Sequence, residues 1–297
     1  MVTAQDSLWV SAYYAGWMQG SEDSPGLRPE EIDYSAVTHI IHFSISPTTT
    51  GGINFTVNGI TPGQSLAAVT ATHAAGKKIL ICVGGAGTSE DFAGATSSAN
   101  IELFIENLIQ FTGERGYDGI DIDWEPLQPA AQFKEFIPRL RRAMKAVNPR
   151  WLLTVACTGE RAVAEMKDHF DQINLMTYDM SGPWPGWVTW HNSPIFDSGL
   201  MFPSTDLPLP SANRRLDDML GLGVPPSQLG FGIDFYGFIW AGGTGTPTGG
   251  VTAPFQSWKE APTVQANVPY ATIMEQYYRP EYKRWDSLAV AAYLSID

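Results

Sequence analysis

Cysteine is scarce in this chain, whose 297 residues include only Cys82 and Cys157. Both lie in apolar runs that look like strands, so buried free thiols are expected and a disulfide framework is not indicated. No apolar run reaches the length of a membrane span, and the first residues lack the basic and then apolar layout of a signal peptide. Two origins stay open: a protein that remains inside the cell, or one whose leader has been removed.

Positive charge is also scarce, with 18 Lys and Arg against 31 Asp and Glu and a net charge of −13. This balance argues against nucleic acid and anionic membrane surfaces as partners, and it fits a neutral or cationic substrate. Aromatic residues are abundant by contrast, with ten Trp, eleven Tyr and fourteen Phe. Most of them are expected in the core, although sugar-binding clefts also use such rings as stacking platforms.

The chain shows no internal repeat and no GxGxxG fingerprint, which weakens a dinucleotide-binding fold. Short apolar runs alternate with helical patterns, which favours β/α units and a parallel sheet. The predicted strands are residues 8–15, 37–45, 78–83, 119–124, 151–157, 173–178 and 229–235. The predicted helices are residues 65–75, 100–115, 131–147, 213–222 and 270–278. We therefore predict one α/β domain over residues 1–297, a (β/α)8 TIM barrel incomplete at strand eight, with a doubly wound sheet as the alternative.

The most informative segment runs from Asp118 to Glu125, where four carboxylates lie in eight residues. Side chains alternate along a strand, so Asp121, Asp123 and Glu125 face the same way, each about 7 Å from the next. Neighbouring like charges raise a carboxyl pKa and so keep a proton available near neutral pH. A solvated acidic strand is the plain structural alternative. A calcium loop is disfavoured, because the intervening Ile and Trp residues do not form an oxygen-lined turn.

Catalytic groups of a β/α barrel lie where its strands end. That rule selects Glu125 after the fourth predicted strand and a set of residues after the other strands, namely Tyr13, Trp17, Gly84, Gly85, Tyr178, Asp179 and Tyr236. Carboxylates at the centre, aromatic walls and little basic character are typical of a glycosidase site.

The spacing Asp118-x-x-Asp121-x-Asp123-x-Glu125 resembles the signature of glycoside hydrolase family 18, the chitinase family. Three other segments resemble this family in the same order: Tyr13-Tyr14, Val83-Gly84-Gly85 and Met176-Thr177-Tyr178-Asp179. The resemblance implies a (β/α)8 barrel and hydrolysis of β-1,4-linked N-acetylglucosamine in chitin or chito-oligosaccharides. We expect no metal and no cofactor.

The resemblance also implies roles in a retaining, substrate-assisted reaction, in which the substrate's own acetamide attacks the anomeric carbon. Glu125 would protonate the glycosidic oxygen, and Asp123 would bind the acetamide N–H. Asp121 would share a proton with Asp123. Tyr178 would bind the acetamide carbonyl oxygen.

Further residues are expected to bind the sugar. The resemblance places Asp179 at the sugar hydroxyls, Met176 at the floor and Trp184 on the leaving-group side. Tyr13 would support Asp121, with core packing as the alternative for Tyr13 and Met176. The other expected substrate contacts are Trp17 and Tyr236.

Two departures from the family pattern bear on these expectations. Cys82 stands where a small hydroxyl residue is common, so Asp121 is expected to lose one hydrogen bond. Residues 238–297 resemble an α+β insertion between strands seven and eight, and by that alignment the chain stops before strand eight. Residues 287–297, taken alone, read as an eighth strand.

Three functions stay open at this stage. The first is an active chitinase. The second is a chitin-binding lectin on the same barrel with little or no turnover, and the third is an endo-β-N-acetylglucosaminidase acting on N-glycans. The family implies a secreted protein, and we expect a monomer or a weak oligomer.

Overall fold

The computed structural model describes residues 8–20 and 26–296. Contacts divide the chain into two compact units. The first unit comprises Met1–Asn174 and Val224–Gly230, and the second comprises Leu175–Gly223 and Phe231–Asp297.

A parallel sheet forms the centre of the first unit. Its strands follow one another in the order β1-β2-β4-β5-β6-β7-β8, and β3 pairs antiparallel with β2. The bounds are β1 Ser11–Ala15, β2 His39–Pro47, β3 Ile53–Asn54, β4 Lys78–Ala86, β5 Gly119–Glu125, β6 Leu152–Cys157, β7 Gln172–Leu175 and β8 Leu229–Phe231. The predicted β/α architecture is confirmed. Among the described residues no strand joins β8 to β1, as expected for a barrel incomplete at strand eight.

Helices cover this sheet because their apolar stripes pack onto buried strands. Their bounds are α1 Pro62–Ala74, α2 Ser89–Ala95, α3 Ile101–Arg115, α4 Ala130–Val147 and α5 Arg161–Glu165. Helix α1 begins with a capping box in which Thr61 and Gln64 satisfy each other's backbone N–H groups. Phe104 of α3 stacks on Phe136 of α4 with 5.4 Å between ring centroids. In the part of the chain that the structure describes, no helix is both long and apolar enough to cross a membrane.

Strands β7 and β8 are shorter than the sequence predicts, and end at Leu175 and Phe231 rather than at residues 178 and 235. Beyond Leu175, the backbone carbonyl oxygens accept hydrogen bonds from side chains instead of from a neighbouring strand. The carbonyl oxygen of Met176 accepts a hydrogen bond from Arg215, and that of Thr177 accepts one from Ser193 Oγ at 2.7 Å. The residues after β7 are therefore irregular but hydrogen-bonded, which an apolar run alone does not predict.

The second unit contains helix α6 at Ala212–Gly221 and two antiparallel hairpins. One hairpin pairs β9 Tyr236–Ala241 with β10 Thr263–Pro269, and the other pairs β11 Lys283–Asp286 with β12 Ala291–Leu294. The helix predicted over 270–278 is a short α-helical turn, α7 Tyr270–Thr272, followed by a π-helical turn at Ile273–Tyr277. Because β12 pairs antiparallel with β11, residues 287–296 do not supply a parallel strand, and residue 297 lies outside the described residues. The assignment of 238–297 to an insertion stays a prediction.

An ion pair between Arg141 and Asp171 ties α4 to the sheet. The two guanidinium nitrogens Nη1 and Nη2 contact the two carboxylate oxygens at 2.8 and 2.9 Å, and the N–H of Leu153 donates to Asp171 Oδ2 at 2.8 Å. The two side chains are only 17% and 25% exposed. The Asp171 carboxylate therefore accepts hydrogen bonds from a helix side chain and from a strand N–H at the same time.

We expect Asp171→Ala to lower the free energy of unfolding by about 2 kcal/mol, because it leaves the N–H of Leu153 without its acceptor and a mostly buried guanidinium with only the carbonyl of Trp151 at 3.4 Å. Urea denaturation measures the change. The control is Glu135→Ala, which removes an exposed ion pair with Arg139 on the same helix and is expected to cost less than about 0.5 kcal/mol. Equal losses in the two variants would contradict the assignment.

Candidate active site

Three acids occupy alternate positions of β5. Asp121, Asp123 and Glu125 share one face of the strand, and the parallel register places a small residue of β4 opposite each, namely Cys82, Gly84 and Ala86. The other face of β5 is core, because Trp124 stacks on Phe92 with 4.5 Å between ring centroids. The strand is thus anchored by one face while the other presents carboxyl groups with little bulk beside them.

Gly84 cannot be replaced by a larger residue without moving β5. Its φ is +112°, a value that L-residues with side chains rarely adopt. A Cβ at this position would lie 2.1 Å from the carbonyl oxygen of Asp123. The glycine pair noted in the sequence therefore allows β4 to approach the acidic strand closely.

Asp121 is fully buried but well supplied with donors. Thr154 Oγ1 donates to Oδ1 at 2.5 Å, and the Tyr13 hydroxyl donates to Oδ2 at 3.0 Å. The Cys82 thiol is a third hydrogen-bond partner. Burial raises the pKa of Asp121 to about 6, and the three hydrogen bonds limit the rise.

The expectation that Cys82 deprives Asp121 of a hydrogen bond is wrong, because the thiol itself takes part and Thr154 supplies a hydroxyl. Thr154 was missed from the sequence. It pairs with Asp121 in the register of β5 and β6, and this register is the only signal that would have identified it.

Asp123 is also strongly perturbed. It is 4% exposed, and burial raises its pKa well above the usual range, with the charges of Glu125 and Asp121 adding to the effect. Asp123 is hydrogen-bonded to Glu125, so one proton is shared between these two carboxyl groups. Its other oxygen, Oδ1, is buried and has no hydrogen-bond partner. The proton exchange implied between Asp121 and Asp123 stays a prediction.

Glu125 opens onto a cavity of about 240 Å³. The lining residues are Ala86, Gly87, Glu125, Pro126, Thr158 and Glu160. Glu160 was also missed, although it follows the end of β6 and the strand-end rule applies to it. The cavity gives a ligand access to the one acid of the three that is not fully enclosed.

Aromatic rings lie near the end of β1 in the first unit. Trp17 lies in the turn after β1 and is 58% exposed, and its ring meets the Phe43 ring edge-on at 5.7 Å. Phe43 also meets Tyr13 at 6.3 Å. An indole this exposed contributes little to the core and suits stacking on a sugar ring.

The second unit holds the other predicted site residues. The hydroxyl of Tyr236 donates to Asp179 Oδ2 at 2.8 Å, and its ring meets Tyr178 edge-on at 6.0 Å. Burial and the neighbouring Asp179 raise the pKa of Tyr236. Met176 is buried, whereas Trp184 is 46% exposed. The structure thus brings Tyr178, Asp179 and Tyr236 together within this unit.

Asp118 lies at the opposite end of β5 from Glu125. Its carboxylate accepts hydrogen bonds from His73 Nε2 at 2.8 Å, Lys78 Nζ at 2.7 Å and the N–H of Ile79 at 3.0 Å. These contacts give it a structural role at the start of the strand. Within residues 8–20 and 26–296, no group of three or more His, Cys, Asp or Glu side chains is arranged to hold a metal ion.

Comparison with known proteins identifies the family of this chain. The family model described as glycosyl hydrolases family 18 matches residues 10–296, so the chain belongs to this family. A class V chitinase of Medicago truncatula, CHIT5a, is 27% identical over 77% of this chain. The chain spans 44% to 62% of the length of two curated chitinases that it matches.

Solved structures show the same fold. The group IV chitinase of Ostrinia furnacalis, in complex with allosamidin, superposes with a TM-score of 0.77 at 24% identity, covering 98% of this chain and 83% of that one. The chitinase-like agglutinin RobpsCRA of Robinia pseudoacacia superposes with a TM-score of 0.69 at 22% identity, covering 96% of this chain and 84% of the agglutinin. The fold therefore occurs both in a chitinase and in a chitinase-like agglutinin.

The raised pKa of Asp121 makes stability depend on pH. The folded state holds the proton up to a pH of about 6, whereas an unperturbed Asp releases it near 3.8. The protonated Asp121 carboxyl therefore contributes its full share to the free energy of unfolding below pH 3.8, and this contribution is lost as pH rises through 6. Asparagine does not titrate, so the stability of Asp121→Asn relative to the native protein should rise between pH 3.5 and 7.5, by up to about 3 kcal/mol.

Urea denaturation across this pH range measures the difference. Asp118→Asn is the control with the opposite sign. Burial raises the pKa of Asp118, but hydrogen bonds from Lys78, Ile79 and His73 outweigh it and leave the pKa lowered. Relative to the native protein, that variant should lose stability only as pH rises towards 3.8, so its measurements extend to lower pH, and its difference should stay nearly constant above that value. A flat difference for Asp121→Asn would show that its carboxyl is not perturbed.

Proposed function

We propose that this chain is a chitinase that hydrolyses β-1,4 linkages between N-acetylglucosamine units in chitin or chito-oligosaccharides. The observation that carries the proposal is the hydrogen-bonded pair of Asp123 and Glu125. A buried, high-pKa partner keeps a proton on the pair, and Glu125 faces the cavity. This is the arrangement that a general acid for a glycosidic oxygen requires.

In the proposed first step, the acetamide oxygen of the substrate attacks the anomeric carbon while the bond to the leaving sugar breaks. Glu125 transfers its proton to the departing oxygen, and the acetamide becomes part of a cyclic cation. The buried, unpartnered Oδ1 of Asp123 supports a role in accepting the acetamide N–H, because an unsatisfied carboxyl oxygen gains a full hydrogen bond from that donor.

In the second step, water attacks the anomeric carbon, the bond between that carbon and the acetamide oxygen breaks, and the acetamide is regenerated. The water gives a proton to Glu125, which restores the acid, and the two displacements together retain the configuration. Asp121 lies two residues before Asp123 on the same strand face, where its charge would stabilise the cation. The roles given to Tyr178, Asp179 and Tyr236 by the family resemblance stay predictions, as does binding by Trp17, Met176 and Trp184.

A chitin-binding lectin is the second candidate, because the Robinia pseudoacacia agglutinin shares this fold. The presence of Glu125 at the end of the acidic strand, open to a cavity, favours the enzyme. An endo-β-N-acetylglucosaminidase would use the same acids, and cleavage tests on a high-mannose glycoprotein beside colloidal chitin separate the two activities.

We expect Glu125→Gln to reduce hydrolysis of chitotetraose by about 10²–10⁴-fold, because glutamine cannot protonate the leaving oxygen. The loss should be smaller for a p-nitrophenyl chitobioside, whose phenolate departs without a proton. A reducing-end assay and absorbance at the nitrophenolate band measure the two rates.

Glu106→Gln is the matched control, since Glu106 is an exposed residue of α3, and its rates should equal those of the native protein. Unchanged turnover in Glu125→Gln would refute the acid assignment. If the native protein binds chitotetraose in calorimetry but releases no reducing ends, the lectin is the correct function.

A further inference from the structure

Glu160 is held in a defined position beside Glu125. It follows β6 and precedes the first residue of α5. One carboxylate oxygen accepts a hydrogen bond from the N–H of Thr158 at 2.9 Å, and the other accepts one from Thr158 Oγ1 at 2.7 Å. A side chain fixed through both of its oxygens presents its charge at a constant place, which a freely rotating surface glutamate does not.

Among the described residues, those that line the cavity of about 240 Å³ include no cation that compensates this charge. Its lining is Glu125, Glu160 and four residues with no charge: Ala86, Gly87, Pro126 and Thr158. The charge of Glu160 extends to the catalytic pair, because it contributes to the raised pKa of Asp123. The carboxylate of Glu160 attracts a cationic ligand into this cavity and gives a neutral acetylated sugar no electrostatic gain.

The reaction itself limits where a cationic sugar can bind. The unit whose acetamide attacks the anomeric carbon must keep its acetyl group. A free amine is compatible with the mechanism only on a neighbouring unit, so an ammonium group in the cavity would belong to the sugar next to the reacting one. Partially deacetylated chitin contains such units.

We propose that Glu160 is a specificity-determining residue that favours a glucosamine unit, with its free ammonium group, beside the reacting N-acetylglucosamine. The preferred substrate is then partially deacetylated chitin rather than the fully acetylated polymer. This inference rests on the proposed function and adds the class of substrate to it.

The test compares chitotetraose with a set of tetramers that carry one glucosamine at each position in turn. The measured quantity is the ratio of kcat/KM for each mixed tetramer to that for chitotetraose. Glu160→Gln keeps the shape and the hydrogen-bond acceptor but removes the charge, so for at least one tetramer this ratio should fall by about fivefold at low salt, as expected for one partly exposed ion pair. High salt should reduce the native ratio for the same tetramer.

Glu106→Gln serves as the control for the loss of one negative charge far from the cavity, and its ratios should match those of the native protein. Ratios that stay within twofold of the native values for every tetramer in Glu160→Gln would overturn the proposal. An equal loss on mixed and fully acetylated tetramers would overturn it as well, because it would indicate a general effect on the acid.

Binding measurements test the role of Glu160 independently of the proposed hydrolytic activity. Calorimetry with Glu125→Gln and with the double variant Glu125→Gln/Glu160→Gln needs no turnover. A fall of about fivefold in affinity for one mixed tetramer, relative to chitotetraose, supports the role of Glu160 even if the native protein proves to be a lectin. No change in relative affinity for any mixed tetramer overturns that role whether or not the native protein hydrolyses chitin.

Discussion

Two carboxyl groups buried on one face of β5 are the constraint on which the rest of the first unit depends. Each buried carboxyl needs donors or a proton, since an isolated charge in such a place is too costly. Asp121 meets this need with hydrogen bonds from Thr154, Tyr13 and Cys82. Asp123 meets it by sharing a proton with Glu125. The neighbouring strands must therefore carry small or donor-bearing side chains at matching positions.

Different surroundings distinguish three chemically similar acids by their pKa values or by their access to the cavity. Asp121 has a pKa of about 6 because its hydrogen bonds counteract burial, whereas burial and the charges of Glu125 and Asp121 raise the pKa of Asp123 well above its usual range. Glu125 lies at the end of the strand, beside the cavity. A gradient from a buried, donor-rich acid to an acid beside the cavity is the arrangement that the proposed proton transfer to a glycosidic oxygen requires.

The rigidity of this arrangement comes from the face of β5 that carries no acid. Trp124 packs between Phe92 and Phe133, with ring centroids at 4.5 and 6.1 Å. Helix α4 supplies Phe133 and is tied to the sheet through Arg141 and Asp171. A strand anchored by its opposite face keeps its carboxyl groups at constant positions, and the proposed catalysis requires this preorganisation.

The amino-acid sequence by itself determined the alternation of strands and helices, the common face of Asp121, Asp123 and Glu125, and the family. These features are local, because they follow from the period of two along a strand and from spacing within a few residues. Strand ends were less predictable. Leu175 ends β7 because a side chain from residue 215 satisfies the next backbone carbonyl, and nothing local indicates that contact.

Only the tertiary structure decided which donors stabilise the acids and what else lines the cavity. Thr154 meets Asp121 from 33 residues away, and Glu160 shares a cavity with Glu125, because adjacent parallel strands bring distant segments into register. Sequence patterns report which face a residue occupies. The partner on that face depends on strand order and register, and these are set by the packing of the whole sheet.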